Sequence, residues 1–219
     1  AAARARIPEG ESIEGLHLEG PYISPEEGPR GAHPREWVRP PDLDEFERLQ
    51  EAAGGLIRLV TLAPEWPGAV RFIRALVNRG IVVSIGHTQA AGAQIRAAAD
   101  AGATMSTHLG NGAAEMLSRR ANYLWEQLAE DRLTAGFIVD GVHLDTPFLK
   151  VALRAKGLER SLLVTDAAAP AGCEPGSYRL GALDVVLTAE RRILLAGSRR
   201  LAASALSMDL AAGNLMQLA

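Results

Sequence analysis

Short apolar runs alternate with amphipathic stretches along most of the chain. Six such runs each end at a polar or charged residue, and a loop follows. The runs are Ile13–Leu18, Leu56–Ala63, Ile81–Ile85, Thr104–Thr107, Phe137–Val139 and Leu162–Thr165. Runs this short and this apolar are typical of strands buried on both faces, as in parallel sheets.

The stretches between the runs carry helical signals. Pro41-Asp42 begins one with apolar positions at Leu43, Phe46 and Leu49, and Gly54 follows its end. Proline at the start and glycine after the end are the expected helix boundaries. The same signals predict helices that begin at Pro67 and Thr146 and are closed by Gly80 and Gly157. Alanine-rich Gln89 to Ala101, closed by Gly102, predicts another, and Ser204 to Leu218 is also helix-like.

Alternation of strands and helices predicts a parallel α/β architecture, either a doubly wound sheet or a barrel. Polar residues follow at least five of the strands, which favours a barrel, because a closed barrel gathers all strand C-termini around one pocket. We expect a TIM-like (β/α)8 barrel of which about six strand-helix units are present, with residues 1–219 forming a single catalytic domain. After Asp166, three short strands predict a small β excursion: Gly176–Leu180, Val185–Leu187 and Arg192–Leu195.

Composition narrows the classes of function. The 219 residues are 47% hydrophobic and 22% charged with a net charge of −3, which is ordinary for a soluble globular protein. No strong positive field is available for nucleic acid or an anionic membrane, so neither is expected as a partner. The single cysteine, Cys173, excludes an internal disulfide and a thiolate zinc cluster and favours a reducing cytoplasm.

Three strand-end residues are candidate metal ligands. Glu19 ends the first run, and His87 and His108 follow two consecutive strand-helix units. A lone carboxylate often caps a loop and a lone histidine is often structural, but one carboxylate with two imidazoles suits a divalent transition metal and leaves positions open. His17 alternates with Glu19 and shares its face of the strand; we interpret it as structural.

Other polar residues lie in loops on the same side of the predicted barrel. Asp166 follows an apolar run, so its carboxylate must face polar partners or a water on a metal; a salt-bridged loop aspartate is the alternative. His143 is a surface residue or a substrate contact. The roles of His33 and Glu65 stay open.

Two features after His108 are weak phosphate-binding candidates. The Asn111-Gly112 turn can present backbone N–H groups to a phosphate, although glycine turns are common. Arg119 and Arg120 form a basic pair, and such pairs are usually solvated surface.

A series of motifs covers nearly the whole chain in one order. The motifs are Gly15-Leu-His-Leu-Glu-Gly-Pro-Tyr-Ile-Ser-Pro, Gly31-Ala-His-Pro, Val60-Thr-Leu-Ala-Pro-Glu, Gly86-His-Thr, Thr107-His-Leu, Asp140-Gly-Val-His, Val164-Thr-Asp and Ser204-Ala-Leu-Ser-Met-Asp. In them the sequence resembles the N-acetylglucosamine-6-phosphate deacetylases of the amidohydrolase superfamily.

The resemblance implies the chemistry of the site. It implies one divalent ion, Zn²⁺ or Fe²⁺, on Glu19, His87 and His108. It further implies that Asp166 is the catalytic acid and base, and that His143 contacts the substrate near the scissile amide. The implied reaction converts N-acetylglucosamine 6-phosphate to glucosamine 6-phosphate and acetate.

The resemblance also implies contacts to the sugar phosphate. Asn111 and Gly112 correspond to residues that approach the phosphate, and His33 is a further substrate-binding candidate. Arg119 or Arg120 corresponds to an arginine that reaches the phosphate of a neighbouring subunit, which implies a homodimer. The residues around this arginine depart from the family pattern.

Family members also begin with part of a β-sandwich and two further barrel strands, which predicts that this chain is a fragment. Two alternatives remain: another amidohydrolase acting on a different amide, and a non-catalytic truncated fragment.

Overall fold

The computed structural model describes residues 4–218 and contains an α/β arrangement. In chain order its elements are β1 (Leu16–Glu19), α1 (Leu43–Ala52), β2 (Ile57–Leu62), α2 (Ala69–Val77), β3 (Val82–Ile85), α3 (Gly92–Asp100), β4 (Met105–Ser106), α4 (Tyr123–Ala129), β5 (Thr134–Phe137), α5 (Thr146–Lys156), β6 (Ser161–Leu163), β7 (Gly176–Leu180), β8 (Leu183–Leu187), β9 (Arg192–Leu195), β10 (Leu201–Ser204) and α6 (Met208–Leu218). Within these residues no helix combines the length and the apolar character that crossing a membrane requires.

Strands β1 to β6 form one sheet in sequential order. The pairs β1–β2, β2–β3, β3–β4 and β5–β6 are all parallel. The predicted parallel α/β class is therefore confirmed. Each strand therefore lies beside the strand that follows it in the chain. Because these pairs are parallel, the segment between two strands must run back to the edge of the sheet at which the first strand began.

The chain divides into two compact units. The first comprises the chain up to Thr107 together with Ala114–Leu133, and so contains β1–β4 and α1–α4. Its core includes an aromatic cluster in which the rings of Tyr22 and Phe46 meet Phe72 edge to face, at centroid distances of 5.1 and 6.0 Å. Asp42 begins α1 by accepting a hydrogen bond from the backbone N–H of Glu45 at 2.7 Å, as an N-cap aspartate does.

The second unit comprises His108–Ala113 and the chain from Thr134 onward. It contains an antiparallel sheet in the order β10-β9-β8-β7, which confirms the predicted β excursion after Asp166. Val185, Leu187 and Ile193 form its buried core with Ala205. A hydrogen bond from Ala168 N–H to the Ser204 carbonyl at 3.0 Å ties the start of the excursion to its end.

Some predicted boundaries differ from the observed ones. The strand predicted at Phe137–Val139 lies at Thr134–Phe137, and Ile138 and Val139 are buried just beyond its end. The last helix was predicted from Ser204 but begins only at Met208, and strand β10, which ends at Ser204, was not predicted. Helix α4 was not predicted; it begins at an asparagine cap, with Asn122 accepting from two backbone N–H groups.

Candidate active site

Glu19, His87 and His108 come together at the C-terminal ends of neighbouring strands. Glu19 is the last residue of β1, and each histidine follows the end of its strand by two residues. Each residue offers one ligand atom, and the three atoms lie within 4.8 Å of one another. The residues predicted as metal ligands therefore form a cluster that could hold one ion.

The hydrogen bonds of His87 fix which nitrogen can bind a metal. Its Nδ1–H donates to the carbonyl of Pro29 at 2.6 Å, so the lone pair is on Nε2, which lies 2.6 Å from Oε1 of Glu19. When the ring is neutral, this lone pair faces the carboxylate, an arrangement that either a bound cation or a second ring proton would stabilise. Two imidazoles and a carboxylate are ligands that Zn²⁺ accepts, so the residues fit the implied ion.

The backbone at three site residues lies in the left-handed region. The φ angles are 48° at His87, 26° at His108 and 49° at Asp166. In the described part of the chain, Arg191 is the one other non-glycine residue with positive φ. Such conformations are costly for residues with a β-carbon and concentrate at functional sites.

The loop after β3 is held by Glu65. Its carboxylate accepts hydrogen bonds from the hydroxyl of Thr88 and from the backbone N–H of Gln89, the latter at 2.9 Å. The carbonyl of His87 in turn accepts from the N–H of Ser24 at 2.7 Å. Glu65, whose role the sequence left open, therefore holds the two residues that follow a candidate metal ligand.

His33 lies beside the cluster. Its Nε2 is 3.7 Å from Oε1 of Glu19, and its ring meets that of His87 edge to face at 4.9 Å. Gly31 has a φ of 62°, and a β-carbon there would lie 3.1 Å from Cε1 of His87, which explains the glycine. His33 and Glu19 also line a cavity of about 420 Å³ with Trp37. His33 is therefore positioned to contact a molecule that binds in this cavity.

His143 is oriented by an aspartate that the sequence did not single out. Oδ2 of Asp140 accepts from Nδ1–H of His143 at 2.5 Å, and Oδ1 accepts from the N–H groups of Val142 and His143, each at 2.8 Å. Burial raises the pKa of Asp140, but the hydrogen bonds from the ring and from these N–H groups together lower it by more. The net result is a pKa below the usual range of an aspartate. The sequence signal for Asp140 was the Asp-Gly-Val-His spacing. In so short a loop an aspartate carboxylate can accept hydrogen bonds from the backbone N–H groups two and three residues later.

Asp166 lies in the loop after β6 and its side chain is exposed. The next residue, Ala167, forms a parallel bridge with Ser204. Thr165 and Ala167, on either side of Asp166, line a cavity of about 620 Å³. The cavity therefore lies beside the loop that carries Asp166.

The candidate phosphate contacts lie in irregular segments. The N–H of Asn111 donates to the carbonyl of His108 at 2.9 Å, and Gly112 has a φ of 61°, which is a turn as the sequence predicted. Arg119 and Arg120 are exposed. Their assignment as phosphate contacts stays a prediction.

Comparison with known proteins supports the resemblance. No protein-family model matches the chain. The N-acetylglucosamine-6-phosphate deacetylase of Bacillus subtilis (strain 168) is 38% identical over 200 residues, 91% of this chain and 50% of that protein. The N-acetylgalactosamine-6-phosphate deacetylase of Escherichia coli O157:H7 is 34% identical over 209 residues, 95% of this chain and 54% of that protein.

A solved structure matches as well. An Asp-to-Ala variant of the N-acetyl-D-glucosamine-6-phosphate deacetylase of Mycobacterium smegmatis, in complex with N-acetyl-D-glucosamine-6-phosphate, is 40% identical with a TM-score of 0.83. The match covers 90% of this chain and 51% of that one. The resemblance predicted from the motifs is confirmed, and the chain spans about half the length of the relatives it matches.

Proposed function

We propose that this chain carries the metal-binding and catalytic residues of an N-acetylglucosamine-6-phosphate deacetylase. The proposal is supported by its homology to these enzymes over about half of their length. The reaction is hydrolysis of N-acetylglucosamine 6-phosphate to glucosamine 6-phosphate and acetate. The observation that carries the proposal is the cluster of Glu19, His87 and His108.

The proposed cofactor is a single Zn²⁺ ion on these three residues, with Fe²⁺ as the alternative. Such an ion supplies Lewis acidity, which polarises an amide carbonyl and makes water a nucleophile at neutral pH. Glu65 and Pro29 support the geometry, because they fix the loop and the ring of His87.

The proton transfers are proposed for Asp166. As general base it accepts a proton from the attacking water, and as general acid it returns that proton to the nitrogen of the departing sugar amine. His143, held through Nδ1 by Asp140, keeps Nε2 available for the substrate. When that nitrogen carries a proton, it can donate to the acetyl oxygen as negative charge develops there.

The remaining assignments extend the same proposal. Asn111 and Gly112 bind the phosphate of the substrate, and His33 contacts the sugar. Arg119 or Arg120 reaches the phosphate site of a second subunit in a homodimer. The parallel sheet belongs to a TIM-like (β/α)8 barrel in the complete protein, residues 1–219 are part of one catalytic domain, and the enzyme works in the cytoplasm.

Metal analysis tests the ligand assignment. The purified protein should hold about one zinc ion per chain, and His87→Ala and His108→Ala should each lose most of it. His143→Ala, which leaves all three ligands in place, is the matched control and should keep the ion. Unchanged stoichiometry in both ligand variants would refute the proposed centre.

A second substrate is favoured by one of the relatives, which is named for N-acetylgalactosamine 6-phosphate. Acetate release from the two sugar phosphates and from unphosphorylated N-acetylglucosamine separates the possibilities. We expect the gluco-configured phosphate to react fastest. Equal rates with and without phosphate would favour another amide substrate, and no release from any of them would favour a non-catalytic role.

A further inference from the structure

Four polar side chains form a hydrogen-bonded row across the first unit. Nε2 of His17 lies 2.7 Å from Oγ1 of Thr61, whose Oγ1 lies 2.6 Å from Oγ1 of Thr107. The Thr107 hydroxyl donates to Oγ of Ser84 at 2.6 Å. His17, Thr61 and Ser84 lie on β1, β2 and β3, and Thr107 directly follows β4. We refer to these four residues as the polar row.

The donors in the polar row follow from a count of hydrogens. A hydroxyl has a single hydrogen to donate, and that of Thr107 goes to Ser84. Thr61 must therefore donate to Thr107, and His17 must donate its Nε2–H to Thr61. Every bond runs in one direction, so no member can turn without breaking a contact.

Two members of the polar row lie in the interior of the unit. Thr61 and Ser84 are 0% and 1% exposed, and a buried hydroxyl that loses its partner destabilises the fold. Gly86 leaves the space that the row needs, because a β-carbon there would lie 2.8 Å from Cγ2 of Thr61 and 2.7 Å from Cβ of Thr107. The glycine of the Gly86-His-Thr motif thus permits the contact between the two threonines.

Each ligand-bearing strand end is tied to the polar row. His17 precedes Glu19 by two residues, Ser84 precedes His87 by three, and Thr107 directly precedes His108. Thr61 connects them, since its Cα is the register partner of both Glu19 on β1 and Ser84 on β3. No residue of the row belongs to the ligand cluster.

We propose that His17, Thr61, Ser84 and Thr107 are positioning residues that hold three strand ends in register, so that Glu19, His87 and His108 meet one divalent cation. The inference rests on the proposed metal centre and explains its support. Ligands that are already aligned lose little freedom on binding, and groups that orient ligands commonly contribute to metal affinity.

Hydroxyl deletion tests the proposal. Thr107→Val and Thr61→Val keep a branched side chain but remove the hydroxyl, whereas Thr107→Ser keeps it. The readouts are zinc affinity, from competition with a chromophoric chelator, and the visible absorption spectrum of the Co²⁺-loaded protein, which reports coordination geometry. We expect each valine variant to bind zinc about 10–100-fold more weakly with an altered Co²⁺ spectrum, and Thr107→Ser to resemble the wild type.

Two controls separate positioning from folding. Thr104→Val changes an exposed threonine three residues before Thr107 and should leave affinity unchanged. At the exposed end of the row, His17→Leu removes the N–H donor and should weaken binding, whereas His17→Gln offers an amide donor and should restore much of it. This pair decides the question if a buried valine variant fails to fold.

The outcomes distinguish this inference from the proposed function. A wild-type protein without stoichiometric zinc overturns the metal centre and this inference with it. Stoichiometric wild-type binding together with unchanged affinity and Co²⁺ spectra in the valine variants overturns the positioning role alone. Equal losses in Thr107→Val and Thr107→Ser also overturn it, because the variant that keeps the hydroxyl would then bind zinc no better than the variant that lacks it.

Discussion

The two side chains proposed to act on the substrate are held in different ways. His143 is fixed through its own ring by Asp140, and both side chains are largely buried. Asp166 is exposed, and the backbone that follows it is held through Ala167 and Ala168 to Ser204. Substitution should therefore affect function at Asp166, and function together with stability at the Asp140–His143 pair.

Asp166→Asn removes the proposed acid and base with little change of shape. Turnover of the complete enzyme should fall by at least about 10²–10⁴-fold, while zinc content stays intact, because three other residues supply the ligands. Turnover per folded, zinc-loaded molecule is the measurement, and Asp184→Asn, at an exposed position on β8, is the control. If turnover per folded, zinc-loaded molecule stays near that of the wild type, Asp166 is not the acid and base of the reaction.

Asp140→Asn should change how stability depends on pH. Because the pKa of Asp140 is lowered in the fold, its ionised form contributes stability that is fully present above the unfolded value of about 4. That contribution is lost as pH falls through the lowered pKa. The wild type should thus exceed the variant in urea-unfolding free energy at pH 6, with a gap that narrows below about pH 4. A gap independent of pH would contradict this.

At the scale of elements, the sequence predicted helices and strands correctly where local interactions determine the secondary structure. It failed where pairing or packing with distant segments determines it. Helix α1 begins and ends where Asp42 and Gly54 predict, because caps act locally. Strand β10 was not predicted, since the alanines of Leu201–Ser204 disfavour a strand and the segment is extended through its pairing with β9. Helix α4, without a proline or glycine boundary, was missed.

The same division applies to the candidate site. Glu19, His87 and His108 were predictable because strand C-termini meet in parallel folds. The support from Thr61 and Thr107 was not, since threonine is common in strands for its β-propensity alone. Only the contacts across strands distinguish a positioning threonine from an ordinary one.

The loop between β3 and α3 allows a test at this scale. Glu65→Ala removes the acceptor for Thr88 and Gln89 and should lower the free energy of unfolding by about 1–3 kcal/mol and weaken zinc binding through His87. Glu65→Gln keeps one acceptor oxygen and should do less. Chemical denaturation and chelator competition measure the two effects, with exposed Glu36→Gln as control. Zinc affinity unaffected by Glu65→Ala would show that the loop does not need this carboxylate.

At the scale of the whole molecule, each compact unit has its own sheet pairings and buried core. The proposed ion would bind the folded chain and not the unfolded one, and so add stability that no side-chain contact supplies.

Zinc removal should therefore lower the melting temperature. At a free zinc concentration about 1,000 times the dissociation constant, binding adds about 4 kcal/mol, and its loss should lower the melting temperature by roughly 10 °C for a chain of this size. Differential scanning calorimetry with chelator and after zinc re-addition measures this. His87→Ala should melt at one temperature under both conditions; a chelator effect of equal size in that variant would point to a different site.

The positive φ angles at His87, His108 and Asp166 have a consequence for directed evolution. Glycine adopts such conformations without steric cost, and asparagine tolerates them better than most residues. A library selected for thermal stability alone should therefore accumulate glycine or asparagine at Asp166 and lose the chemistry as it gains stability, whereas His87 and His108 should persist, because the proposed ion they hold adds more stability than the backbone strain costs. Selection schemes for this protein need an activity screen in every round.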